Sequence, residues 1–422
     1  MHHTIIEKNL ENGATLLMIP LEGTAALTSI VLMGVGSRYE SDKQRGLAHF
    51  TEHMVFKGGK KFKSAQEVSQ ALDAVGGEFN AFTAQEFTGF YTKTDGEHLE
   101  LGLDVLSDMI LHATFPAEEL EKEKGVIVEE INMYEDMPMR KVDHVLSRLA
   151  FGEHPLGLQI LGSKESVNGF TPQDFLDYRK EFYKGSKCVI VLAGAMDTEA
   201  AEEAVRKYFA ALPSGESYEP DPSVWAENGR VLLEKKDSEQ THLMLATRAY
   251  PVNHPKRYAF RLLSTILGGN MSSRLFSSVR EQQGLCYYVR AYPDTYVDAG
   301  LLVASAGVDN ARLHQAVKAI LKEFAIIRDE LVGTDELDRA KQFLIGKTRL
   351  AMEDSEQVAE VYGMQRLLEG RMEELPLMEE QVRAVTAEQI QDVARELFTD
   401  EHLLLAVIGP QQEEGLNDLL HL

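Results

Sequence analysis

Two stretches of this 422-residue chain pass through the same elements in the same order at one fixed separation. Thr171-Pro-Gln-Asp-Phe opens a predicted helix that leads into the apolar strand VIVLAG, ending at Gly194. Thr386-Ala-Glu-Gln-Ile opens another that leads into LLLAVIG, ending at Gly409. The helix starts (171 and 386) and the strand ends (194 and 409) are separated by equal lengths of chain. FPAEELEKEKGVIVEE, near residue 120, likewise resembles VGTDELDRAKQFLIGK, near residue 337. A duplication is a tight constraint, because each copy must build the same sheet and the same helices. The expected fold class is α+β: two homologous domains, each a mostly antiparallel sheet packed with helices.

Two domains of about 200 residues also suit the length. In the first copy, strands are predicted at 4–10, 14–20 and 27–35, the first two joined by the turn pair Asn12-Gly13. Further strands are predicted at 78–83 and 87–94, and helices at 99–112, 117–134, 142–150 and 172–182. Residues 213–229, with Pro213, Gly215, Pro220 and Pro222, lack either period and read as a linker. The expected division is therefore a domain at 1–212, a linker at 213–229 and a second domain at 230–422.

The formal net charge of −24 argues against a nucleic-acid partner, which needs a basic surface. Only two cysteines occur, Cys188 and Cys286, both in apolar segments, so a disulfide framework is not expected. No apolar run is long enough to span a bilayer and no signal or transit pattern opens the chain. A cytoplasmic protein without a membrane partner is expected.

The chemistry is concentrated in Gly46-Leu-Ala-His49-Phe-Thr-Glu52-His53-Met-Val-Phe56. On a helix, residues four apart sit one above the other, so His49 and His53 face the same way. Two imidazoles at that spacing can share one tetrahedral zinc ion at about 2.0–2.1 Å each. Glu52 flanks them without having to bind. The order His-x-x-Glu-His is the inverse of the zincin motif. Lining up Gly58 with Gly268 puts Ala259, Leu262 and Leu263 at the matching positions of the second copy, which therefore cannot hold the same metal.

A hydrolytic zinc site takes three protein ligands and leaves one position open. The predicted helix 117–134 carries Glu123 and Glu130 two turns apart, on one face, with Glu129 turned away by about 100°. One carboxylate can serve as ligand and the other as an anchor behind it. On residues alone, the same acidic and basic run more often describes a solvated, salt-bridged helix face.

His49-Phe-Thr-Glu52-His53, with Glu130 well downstream of it, resembles the inverzincin metallopeptidases of the pitrilysin/insulinase family. The runs GLAHFTEHMVFKG, EKEKGVIVEE and HPLGLQILG are similar to its mitochondrial-processing-peptidase-like branch. The resemblance implies a zinc-dependent endopeptidase that cleaves unstructured peptides or precursor segments. It implies His49, His53 and Glu130 as ligands of one Zn2+ per chain, and Glu52 as the base that activates zinc-bound water. It gives Glu123 an important place beside the site. Arg280 and Tyr287 match the family's Arg…Tyr pair, which contacts substrate near the scissile bond, although on residues alone they read as structural just as well. Asn80 and Phe82, in NAFT, match an edge strand along which the peptide lies. Four domains enclose the family's chamber, so a homodimer with Arg280 and Tyr287 acting in trans is expected. The alternative is a non-catalytic core or partner-binding subunit of the same fold.

Overall fold

The computed structural model describes residues 3–216, 219–227 and 229–422. Its first sheet is built from β1 (Ile6–Asn9), β2 (Thr15–Pro20), β3 (Ala26–Met33), β4 (Glu78–Thr83), β5 (Thr88–Asp95) and β6 (Cys188–Gly194). The strand order is β1-β2-β6-β3-β5-β4. Only β2 and β6 run parallel; the other neighbours are antiparallel. The turn between β1 and β2 uses Gly13 at φ +92, a conformation that disfavours side chains. β4 closes one side of the sheet, leaving its outer edge without a partner strand among the described residues.

The second sheet consists of β7 (Val231–Lys235), β8 (Gln240–Arg248), β9 (Cys286–Thr295), β10 (Gly300–Asp309) and β11 (Leu403–Gly409). Its order is β7-β11-β8-β10-β9, with β7 and β11 parallel and the rest antiparallel. Apart from β1, this is the first sheet's order repeated, and the duplicated α+β fold expected from the sequence is the one observed.

Both faces of each sheet are covered, which is why β6 and β11 are buried along their whole length. Period-two alternation splits β3 between two layers. Leu27, Val31 and Met33 join the main core with Phe50, Ile127 and Phe175. Thr28 and Leu32 point the other way, onto the helix Ser355–Met364. There Thr28 Oγ1 and Ser355 Oγ lie 2.8 Å apart and buried. A side chain at Gly363 would press within 2.7 Å of Leu32 and 2.9 Å of Val191, so this helix lies close on the strands. In the second sheet the corresponding layer is the helix Pro138–Phe151. Its Val142, Val145, Leu146 and Leu149 pack with Met244, Ala246, Leu404, Ala406 and Ile408. Phe151 stacks on Trp225 at 5.0 Å.

These two covering helices are equivalent members of the repeat. Each follows a long helix, Ala117–Asp136 or Thr334–Ala351. The long helices start at 117 and 334 and the covering helices at 138 and 355, so the two separations are equal. Each covering helix packs on the sheet made by the other half of the sequence. The first unit accordingly holds the chain up to Asn132, Gln159–Asp221 and Arg349–Leu375. The second holds Met133–Leu158, Pro222–Thr348 and Pro376–Leu422. Packing thus departs from the contiguous division at 1–212 and 230–422: the helix predicted at 142–150 lies in the second unit, and 349–375 in the first. The physical reason is the second face of each sheet, which its own half of the chain leaves uncovered. Residues 217, 218 and 228 of the expected linker lie outside the described residues; the rest of 213–229 carries neither helix nor strand. Both cysteines are unbonded. Among the described residues, no helix is long and apolar enough to cross a membrane.

Candidate metal centre

The motif helix Leu47–Met54 is held by its apolar side. Leu47, Phe50 and Met54 are buried, and the Phe50 ring meets Phe175 edge-on at 5.0 Å. With that side committed to the core, the 3.6-residue turn directs His49, Glu52 and His53 away from it. Gly46 starts the helix at φ +93, and a Cβ there would lie 2.6 Å from the Leu161 carbonyl oxygen. In place of an ordinary cap, the Glu40 carboxylate accepts the Gly46 and Ala48 N–H groups at 2.8 and 2.6 Å.

The helix Ala117–Asp136 brings the other carboxylates. Glu118 and Glu119 lie in its first turn, where the helix dipole favours negative charge. Leu120, Ile127 and Ile131 anchor it in the core. Glu129 is exposed and takes Asn132 Nδ2 at 3.4 Å, whereas Glu130 turns toward the histidines.

His49 Nε2 and His53 Nε2 each lie 3.7 Å from Glu130 Oε2. The three candidate ligand atoms fall within 4.8 Å of one another, and no other such group of His, Cys, Asp and Glu occurs among the described residues. The histidine–carboxylate separations are too long for hydrogen bonds. They are near the roughly 3.3 Å that separates donors bound at about 2.0–2.1 Å to one tetrahedral ion. The donor set, two imidazoles and a carboxylate, suits zinc.

Behind His53, Nδ1 lies 3.0 Å from Glu123 Oε1, and the second Glu123 oxygen lies 2.7 Å from Lys57 Nζ. A carboxylate only accepts, so His53 Nδ1 carries the hydrogen and Nε2 keeps its lone pair for a metal. Burial, and then the charge of His53, push His49 down to about 3, leaving its imidazole neutral. Burial lowers His53 too, but the Glu123 hydrogen bond and the nearby Glu52 and Glu130 carboxylates outweigh it and raise the net value. Glu123 is raised by burial, yet its bonds to His53 and Lys57 hold it below the ordinary carboxylate range. Glu52, largely removed from solvent, is pushed above that range chiefly by burial.

The remaining predicted residues are placed as follows. Asn80 and Phe82 are on β4, the edge strand; Asn80 is exposed, and the Phe82 ring lies over Gly89, where a Cβ would come within 2.2 Å. Arg280 and Tyr287 belong to the second unit, whereas the histidines belong to the first. There the Arg280 guanidinium stands 5.6 Å from the Tyr287 ring and 4.5 Å from that of Phe276, and Tyr287 is 77% exposed. Ala259, Leu262 and Leu263 are core residues of the helix Arg257–Gly268.

Fold and cluster together define a duplicated two-unit α+β architecture with a candidate metal centre. The chain belongs to peptidase family M16. The family model described as "Insulinase (Peptidase family M16)" matches residues 19–164, and "Peptidase M16 inactive domain" matches 169–344. The uncharacterized zinc protease YmxG of Bacillus subtilis is 36% identical over 95% of this chain and 97% of its own length. The uncharacterized zinc protease SCO5738 of Streptomyces coelicolor is 32% identical over 99% of this chain and 92% of its own. Among solved structures, a protease from Helicobacter pylori superposes with a TM-score of 0.89 at 22% identity, covering 97% of this chain and 100% of that one.

The sequence alone gives no sign of the part Lys57 plays, because it lies three residues past Met54, the end of the motif helix, beyond the reach of helical periodicity. Lys57→Met is expected to weaken zinc binding by less than the roughly 10–100-fold usual for losing a ligand's own hydrogen-bond partner, because Lys57 acts on His53 only through Glu123. Chelator competition measures this, and unchanged affinity would show that His53 is held without Lys57.

Proposed function

We propose that the chain is a zinc-dependent endopeptidase that cleaves unstructured peptides or precursor segments, working as a homodimer. The observation that carries this reading is the convergence of His49, His53 and Glu130, with Glu52 beside them. These three would hold one Zn2+, which when bound supplies Lewis acidity to a water molecule and to the scissile carbonyl. Glu52 takes the proton from the attacking water and delivers it to the leaving amine; a carboxyl raised by burial is a stronger base and a ready acid. Glu123 and Lys57 keep His53 in the tautomer that binds metal. β4 offers an edge unpaired among the described residues, to which an extended peptide can add as a strand beside Asn80 and Phe82.

A panel of unstructured peptides, with and without chelator, tests the reading. Internal cleavage that chelation abolishes and zinc restores is expected. A zinc-loaded protein that cuts none of them would favour the non-catalytic subunit instead.

The proposed homodimer places Arg280 and Tyr287 of one chain at the zinc of the other, where Tyr287 steadies the developing negative charge. Mixing a His49→Ala chain with an Arg280→Ala chain should then restore activity at one of the two sites. Mixed dimers as inactive as either parent would defeat the trans arrangement.

A further inference from the structure

The loop between β3 and the motif helix is tied at both ends. At its start, Gly36 passes so close to the turn between β4 and β5 that a Cβ would meet the Ala84 carbonyl oxygen at 2.2 Å. Ser37 N and Arg38 N donate to the Ala84 and Gln85 carbonyls at 3.2 and 2.7 Å. The Arg38 guanidinium meets Glu86 Oε1 at 2.6 Å, with both side chains 5% exposed or less. The same guanidinium donates to the Asp221 carbonyl at 2.9 Å. Two residues on, the buried Glu40 carboxylate takes the first N–H groups of the motif helix. One short 3-10 turn, Ser37–Tyr39, thus joins the hairpin that ends β4 to the helix that carries His49.

We propose that Arg38 and Glu40 are positioning residues: their loop is a strut that sets the spacing between the metal-binding helix and the edge of β4. That spacing decides how far a strand-added peptide places its scissile carbonyl from the metal and from Glu52. The inference rests on the reading of β4 as the substrate edge.

The choice of groups supports the role. A buried ion pair is a weak source of stability, often replaceable by apolar packing, but it holds one geometry. A cap formed by a carboxylate from outside the helix fixes the helix to that geometry as well. Burial pushes Glu40 up to about 8 even though the helix N–H groups pull it down. An uncapped or apolar contact would avoid that cost.

The test uses the full-length zinc-loaded protein and two variants. The double substitution Arg38→Gln with Glu86→Gln removes both charges, so neither is left buried alone. Glu40→Gln leaves the ion pair intact and keeps one oxygen for the helix; it decides the matter if the double variant does not fold. Zinc content, thermal midpoint, kcat and KM are measured with a quenched-fluorescence unstructured peptide and with its analogue N-methylated at alternate backbone amides. Expected are wild-type zinc content, little change in KM, and kcat lower by roughly 10–100-fold, the scale of a misplacement near 1 Å. Wild-type kcat in a zinc-loaded variant would overturn the strut, as would zinc loss in step with activity, which marks a fold support only. If wild-type protein cuts the methylated peptide as fast as its parent, the edge-strand reading fails and the strut with it. If methylation protects the peptide while the variants keep wild-type kcat, the strut alone is wrong.

Discussion

Glu52→Gln is expected to keep its zinc and lose about 10²–10⁴-fold in peptide hydrolysis, the range assigned to a positioned acid–base group. Retention follows from geometry, because the convergent set is His49, His53 and Glu130, and Glu52 is outside it. The amide fills the same volume without taking a proton, so fold and ligands are preserved. Metal analysis together with turnover checks both halves of the statement. A variant that hydrolyses at near wild-type rate would remove Glu52 from the reaction. One that loses its metal would make it a fourth ligand.

A fragment ending at Asp221 is expected not to fold cooperatively, although it contains all six strands of the first sheet and every residue of the metal cluster. It lacks the helix Ser355–Met364. Val358 and Tyr362 would be gone, and Ile30, Leu32 and Val191, now 0–1% exposed, would face water. At about 2 kcal/mol for each large apolar side chain, the loss is on the order of 10 kcal/mol. That is comparable to the roughly 5–15 kcal/mol of a typical domain. Chemical denaturation of the fragment should show no sharp transition, and co-expression with residues 222–422 should restore one. A sharp, two-state unfolding of the fragment alone would contradict the exchange of helices.

Local patterns were the most legible. Helices predicted at 99–112 and 172–182 are observed as Leu99–His112 and Pro172–Phe182, because Thr171 and the chain turns around them are short-range signals. The long helix runs past its predicted end at 134, to Asp136. The helix Ala65–Asp73 begins on a cap as local as these, Ser64 accepting the Glu67 N–H, while the Glu67 carboxylate accepts the Lys63 N–H at 2.7 Å. The histidine pair was legible because its partners are one turn apart. The exchange of covering helices was not, since periodicity tells which face of a helix is apolar but not which sheet it covers. The Arg38–Glu86 pair and the Glu40 cap join residues separated in sequence through single contacts, and such contacts leave no repeat to detect.

The exchange of equivalent helices bears on ancestry. A single unit of this kind, if its covering helix reached outward as both do here, would leave its own sheet's second face bare. Two copies trading that helix would each have been complete, as in a domain-swapped dimer. Duplication and fusion of the gene would then convert an exchange between molecules into one within a chain. In the second copy the positions that match His49, Glu52 and His53 are Ala259, Leu262 and Leu263, and all three are committed to the core.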